Sequence, residues 1–274
     1  MAPAGMAALL WGASDFSAGV LSRRLPVTTV LIWSKVFAML LAAPFVLAGG
    51  LPPVGDLRLA VAAGLVGLPA MGLLYRAMRD GSLTVVAPVA AAAALVPVGW
   101  GLLGGERFGL AGAVGVVVAL IGITLASWPV RSQHRPAALP ALSALGAAIG
   151  FGVFFVLLHE ASRTEPYQVT AVARVTEGIG ALVLAGILHL RRGGSWPSAG
   201  PVAAMCGIGA LDAAGDAAFV LAARGGPLGP VAVLASMYPA VTVLLNRSVL
   251  RERLHAVHLC GVLATLFAVA CLAG

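Results

Sequence analysis

The sequence predicts an all-α integral membrane protein: ten transmembrane helices, arranged as two inverted five-helix repeats around a central cavity. Three observations carry that expectation. Of the 274 residues, 60% are hydrophobic and only 10% charged, against roughly a quarter charged in an ordinary soluble domain. Apolar runs recur along the whole length, each long enough to cross a hydrocarbon core of about 30 Å at 1.5 Å per residue. Two blocks of the first half also recur in the second half, in the same order and at nearly one spacing.

The first run, 3–22, begins within "MAPAGMAALLW" (1–11), which lacks a basic n-region, and so reads as a retained helix, not a cleaved signal peptide. Nine more runs follow, at 27–48, 57–75, 82–104, 108–128, 139–158, 168–190, 200–222, 228–249 and 254–273. Their connections are short. The longest, "PVRSQHRPAALP" (129–140), is basic, Pro-rich and central, which divides the chain into a first repeat (1–128), a linker (129–138) and a second repeat (139–274). "RDGSLTVVAPV" (79–89) matches "RGGPLGPVAVL" (224–234) at an offset of 145. "GERFGLAGAVG" (105–115) matches "RERLHAVHLCG" (251–261) at 146, which sets Glu106 opposite Glu252 and Gly115 opposite Gly261. An odd number of spans per repeat forces the second half to run inverted relative to the first.

The net charge of +7 does not indicate nucleic acid, because the arginines sit mostly in short segments between apolar runs. Eleven, from Arg23 to Arg253, lie in the loops after spans 1, 3, 5, 7 and 9; four (Arg58, Arg107, Arg163 and Arg224) lie on the opposite side. Positive-inside counting places the eleven in the cytoplasm and both termini outside. Cys206, Cys260 and Cys271 fall inside spans without CxxC spacing, so neither disulfide nor metal chemistry is expected, and no metal site or cofactor is assigned.

Ionisable residues inside spans are the informative ones, since each costs about 2.5–3.5 kcal/mol at a helix centre. Six qualify: Asp15, Lys35, Arg174, Glu177, Asp212 and Asp216. Four acids against two bases leave two negative charges unmatched unless two of the acids hold protons. That arithmetic suits a proton-coupled or cation-attracting cavity. Asp212 and Asp216, four apart, share a helix face, so either a cation lies between them or one keeps its proton. Pairing with Arg174 or Lys35 to fix the bundle is the simpler alternative. Arg174 and Glu177, three apart, can pair with each other, and the planar fork of Arg174 also suits a substrate carboxylate. Lys35 is the only lysine; it lies either in a cavity or with its amine drawn toward an interface.

Trp11 and Asp15 share a face of span 1, an arrangement suited to a cationic or aromatic ligand. A place in an interfacial belt is the alternative for Trp11. Tyr75, Phe154, Phe155 and Tyr238 are further cavity-lining candidates, while Trp128 and Trp196 read as interface anchors. Pro69, Pro88, Pro97, Pro230 and Pro239 lie inside spans and are expected to kink them and free carbonyls toward a cavity. Gly207, Gly209, Ala213 and Gly215 are assigned to close helix packing. Glu106 and Glu252 read as helix-start charges.

"LLWGASDF" (9–16), the two five-span halves, a Glu-Arg pair before the last helix of each half and "MYPAVTVLLNRSVLRERL" (237–254) resemble the EamA-type transporters of the drug/metabolite transporter superfamily. The resemblance covers nearly the whole chain. It departs in the first half, where Ala93 stands at the place matching Pro239 and Pro97 lies four residues on. It implies cytoplasmic termini, the reverse of the arginine count. It also implies a multi-pass protein of the bacterial plasma (inner) membrane. Its expected work is to move a small metabolite, amino-acid-like or related, by alternating access, with export the expected direction and no nucleic-acid partner. The substrate-binding set is then Trp11, Asp15, Lys35, Tyr75, Arg174, Glu177, Asp212, Asp216 and Tyr238. An intramembrane enzyme is the main alternative, but "HEASR" (159–163) carries Arg163 where a zinc protease needs its second histidine, and no GxSxG elbow is present. A non-transporting assembly protein is the other alternative, and no Walker motif points to ATP.

Overall fold

Apolar runs punctuated by Gly and Pro fold into helices, and all regular structure among the described residues is helical. The computed structural model describes residues 2–80, 86, 90, 92–105, 109–126, 138–162, 165–192, 199–225, 228–235, 237–250 and 256–273. The first half contains α1 (Ala2–Ser22), α2 (Val27–Gly49), α3 (Val54–Asp80), a 3-10 turn (Ala92–Ala94) leading into α4 (Leu95–Leu103), and α5 (Leu110–Ala126). The second contains α6 (Ala138–Ala161), α7 (Pro166–Arg192), α8 (Ala199–Arg224), α9 (Leu228–Ala235), α10 (Tyr238–Leu250) and α11 (Ala256–Ala273). Helix ends follow local chemistry. Pro26 precedes α2 and Pro166 opens α7, where a missing N–H costs nothing. Gly50, at φ 77°, ends α2 as its N–H donates to the Val46 carbonyl.

Six helices, α1, α2, α3, α6, α7 and α8, are long and apolar enough to cross a bilayer, which makes this a multi-pass membrane protein. The expected spans 4, 5, 9 and 10 correspond to shorter apolar helices among the described residues. Expected span 9 is two helices, α9 and α10, with the Met237 N–H turning back to the Leu234 carbonyl at 3.2 Å. Pro97, Pro230 and Pro239 therefore do not kink helix interiors. Each lies in the first turn of a new helix, where its lost donor is harmless and its fixed φ is helical. Pro69 is inside α3, and so is Pro44 inside α2. Glu106, Arg107, Trp128, Arg163, Trp196, Pro88, Glu252, Arg251, Arg253 and linker residues 129–137 lie outside the described residues.

The contacts between helices are predominantly between the halves. The most extensive pairs are α1 with α8, α3 with α6, α2 with α7 and α5 with α11, followed by α3 with α7, α2 with α8, α1 with α10, α6 with α4 and its 3-10 turn, and α4 with α9. Numbering the spans of each half from its own start, with α9 and α10 counted together as the fourth of the second half, these are 1 with 3, 3 with 1, 2 with 2, 5 with 5, 3 with 2, 2 with 3, 1 with 4, 4 with 1 and 4 with 4. The set is unchanged when the halves are exchanged. Close approaches repeat in the same way. A Cβ on Gly12 in α1 would strike Val241 Cβ and the Tyr238 carbonyl; one on Gly152 in α6 would strike Val96 Cβ and the Ala93 carbonyl. Tyr238 and Val241 stand 145 residues after Ala93 and Val96, the offset of the first matched block. Contact thus sets Ala93 opposite Tyr238, and Ala94 opposite Pro239. A Cβ on Gly64 would meet the Ala173 carbonyl, and one on Gly209, again 145 residues on, would meet the Ser34 carbonyl. Ala173 and Ser34 are therefore counterparts, and so are the residues that follow them, Arg174 and Lys35.

Candidate functional site

The glycine approaches place the ionisable groups. With α8 pressed onto α2 at Gly209, Asp212 arrives one turn further on beside Lys35. With α3 pressed onto α7 at Gly64, Gly67 arrives one turn further on, beside Glu177. A side chain at 67 would overlap Glu177 Oε1, so the glycine leaves that carboxylate its room. Arg174 and Glu177 come from successive turns of α7, Asp212 and Asp216 from successive turns of α8.

Between these helices lies one ion network. Lys35 Nζ donates to Asp212 Oδ2 at 2.6 Å and lies 2.9 Å from Glu177 Oε2. Arg174 Nη1 donates to Glu177 Oε2 and to Asp212 Oδ2, each at 2.7 Å. Arg174 Nη2 donates to Asp216 Oδ2. Asp216 Oδ1 in turn accepts from the indole Nε1 of Trp11 at 3.0 Å, which ties α1 to the network. For the aspartate pair, the cation between the two carboxylates is Arg174, while Lys35 pairs with Asp212 and not with Asp216 among the described contacts. Lys35 does not reach for an interface; it is 1% exposed. The Arg174–Glu177 pair forms, yet it is one edge of a larger network.

The network borders a cavity lined by Trp11, Asp15, Lys35, Gly67, Met71, Phe151, Phe154, Phe155, Arg174, Glu177, Asp212, Asp216 and Tyr238. Aromatic rings form one wall. Trp11 stacks on Phe155 at 5.3 Å, with Phe219 at 5.8 Å and the edge of Tyr238 at 6.5 Å. The Arg174 guanidinium lies 6.0 Å from the Phe154 ring centre. Trp11 is thus an internal residue, not part of an interfacial belt. Asp15 lines the cavity but makes no hydrogen bond or ion pair among the described residues. The six ionisable residues singled out from the sequence are the buried charged residues among those described, and none is more than 5% exposed. Leucines and phenylalanines such as Leu41, Phe45 and Leu65 instead cover the outside. Charge is inside and hydrocarbon outside, as a bilayer requires.

Of the nine expected site residues, eight line the cavity. Tyr75 does not. It is wholly buried in a packing cluster with Val30, Leu31 and Leu74, one turn of α3 beyond the lining residue Met71. Phe154 and Phe155, the weaker aromatic candidates, both line the cavity, whereas Gly67, Met71 and Phe151 went unnamed. A signal for two of these exists in the sequence: stepping back 145 residues from Asp212 and Asp216 lands on Gly67 and Met71. Among the small residues, Gly209 and Gly215 do meet neighbouring helices, at Ser34 and Trp11, while Gly207 faces open space.

No curated protein matches the sequence. A solved crystal structure of a protein is similar in fold, with a TM-score of 0.76 over 98% of this chain and 94% of that one, at 18% identity. The model of the EamA-like transporter family matches twice, over residues 4–128 and again over 138–274. Those two matches account for nearly the whole sequence and for the repetition of its helix contacts, and they establish that the chain belongs to the EamA-like transporter family.

Proposed function

We propose that this protein is a secondary transporter of the bacterial plasma membrane. It carries a small, amino-acid-like solute outward by alternating access, with proton movement coupled through the buried carboxylates. In this reading ten spans form two inverted repeats, and the cavity between them is the binding site. The observation that carries the reading is the ion network itself, built from three helices of both halves and bordering a cavity inside an apolar bundle. Charged groups are expensive at that depth, and a purely structural core would be better served by hydrocarbon. The helix-contact pattern, unchanged on exchanging the halves, supports the inverted arrangement.

The geometry gives the cycle a physical basis. Lys35 and Arg174 hold α2, α7 and α8 together through shared carboxylates, and Trp11 attaches α1 to the same set. A solute whose polar groups compete for those partners loosens one set of bonds and satisfies another. The 3-10 turn and first turn of α4 pack on Gly152, and the first turn of α10 packs on Gly12, so α1 and α6 can shift against short helical segments. Purified protein in proteoliposomes, given radiolabelled amino acids, organic cations and organic anions with and without a pH gradient, tests this. Saturable uptake or counterflow of one class, steepened by the gradient, is the expected result. Solute movement no faster than in protein-free vesicles, across all classes, would end the transport reading.

A further inference from the structure

The three carboxylates of the network share two cations, so the network carries one formal negative charge before Asp15 is counted. Glu177, Asp212 and Asp216 each have a cationic partner within hydrogen-bonding distance. Asp15 has none among the described residues, although it is 5% exposed and lines the same cavity. Tyr238 also lines that cavity, its ring edge-on to Trp11 at 6.5 Å. Its hydroxyl is buried and has no hydrogen-bond partner among the described residues. Two polar groups are therefore left over on the cavity's lining, the Asp15 carboxylate and the Tyr238 hydroxyl, and Trp11, one helical turn before Asp15, meets the Tyr238 ring edge-on. Buried polar groups without partners are rare because each forfeits its bond to water.

We propose that Asp15 and Tyr238 form a subsite for the ammonium group of an organic amine. The ammonium has three N–H donors and a positive charge. Asp15 accepts one donor and supplies the counter-charge, Tyr238 Oη accepts a second, and the amine's apolar body lies along Trp11 and Phe155. The cation also reduces the formal negative charge of the cavity, whereas a carboxylate ligand would add to it. Lys35 and both terminal nitrogens of Arg174 are already committed to the network's own carboxylates, which leaves Arg174 Nε–H as the one guanidinium donor without a partner among the described residues. The subsite deepens the transport reading and rests on it for the view that the bound amine is cargo.

Equilibrium binding to the full-length protein in lipid nanodiscs tests the subsite without requiring transport. The probes are alkylamines of graded length, phenethylamine, and the near-isosteric anion 3-phenylpropanoate, titrated by calorimetry. The expected result is binding of phenethylamine and no detectable binding of 3-phenylpropanoate. Asp15→Asn should weaken amine binding by at least about tenfold, as expected on losing a charge-assisted hydrogen bond. Tyr238→Phe, which keeps the ring, should weaken it by about fivefold. Thermal unfolding of each variant shows whether it is folded, and the amine-against-anion contrast in the unaltered protein stands whether or not the variants fold. Three results would overturn the subsite: no amine in the series binds, the anion binds as tightly as the amine, or folded Asp15→Asn keeps full affinity. Amine binding without flux would leave the subsite standing and remove the transport reading; flux of other solutes without amine binding would do the reverse.

Discussion

The two halves of the molecule share a scaffold and differ in their chemistry. Gly64 and Gly209 make the same approach to the facing helix, as do Gly152 and Gly12. Lys35 and Arg174 follow corresponding residues and both deliver a buried cation. The carboxylates break the pattern. Asp212 and Asp216 correspond to Gly67 and Met71, and Asp15, three residues after Gly12, corresponds to Phe155, three after Gly152. All six residues of these three pairs line the cavity, so what differs is the charge they bring to it. The lesson is that positions where backbones touch are held to one residue type by sterics, because only Gly leaves room there. Positions that face a cavity are free to differ, and an asymmetric site can grow between symmetric walls.

The largest effects should come from removing the cations that hold the asymmetric carboxylates. Arg174 bonds three of them and Lys35 contacts two. Arg174→Met should cost about 3–5 kcal/mol in thermal unfolding of the detergent-solubilised protein, the scale for stranding buried charge. Lys35→Met should cost less. If Lys35→Met were the more damaging, the second half would not be the centre of the network.

Next in size are the symmetric contacts. Gly64→Ala and Gly209→Ala each drive a Cβ into a facing carbonyl, and each should destabilise by about 1–3 kcal/mol, the range for overpacking. Gly207→Ala, two residues from Gly209 but with nothing near it, should stay within about 0.5 kcal/mol. A large loss at Gly209 with none at Gly64 would mean that the halves are not held by equivalent contacts.

A smaller effect is expected at Trp11. Trp11→Phe keeps a ring in the aromatic wall but leaves Asp216 without the indole donor, for a loss of about 1.5 kcal/mol. The smallest should be Tyr75→Phe, which lies off the cavity and should leave solute flux unchanged. A Tyr75→Phe variant with abolished flux would extend the working cavity into the packing cluster.

Much of this was legible in the sequence because the bilayer penalises charge. Six ionisable residues inside apolar runs stand out against a background that is 60% hydrophobic, and all six proved buried. Their partners were less legible. The spacing of Arg174 and Glu177 shows that they can meet, but nothing local shows that α8 brings Asp212 and Asp216 to the same guanidinium. Arg174 therefore read as a fork open to substrate, whereas both its terminal nitrogens are occupied. Trp11 and Asp15 share a helix face, yet the indole donates across to Asp216, a choice made by packing at Gly215. Tyr75 failed as a lining residue for a similar reason: an aromatic in a span has no periodic mark that separates cavity from core. The break in the expected ninth span, before Tyr238, was signalled by Pro239, but read as a kink because proline's role depends on where the helix begins.

The central claim is that the cavity between the halves is reached from both sides of the membrane in turn. Met71→Cys, in a background with Cys206, Cys260 and Cys271 replaced by alanine, places one thiol on the cavity wall at the position corresponding to Asp216. Its labelling rate by a membrane-impermeant thiol reagent should be followed in right-side-out and in inside-out vesicles. Alternating access predicts reaction from both sides, with a ligand that favours one state raising one rate while lowering the other. Reaction from a single side only, under every condition in which the protein is folded, would contradict it.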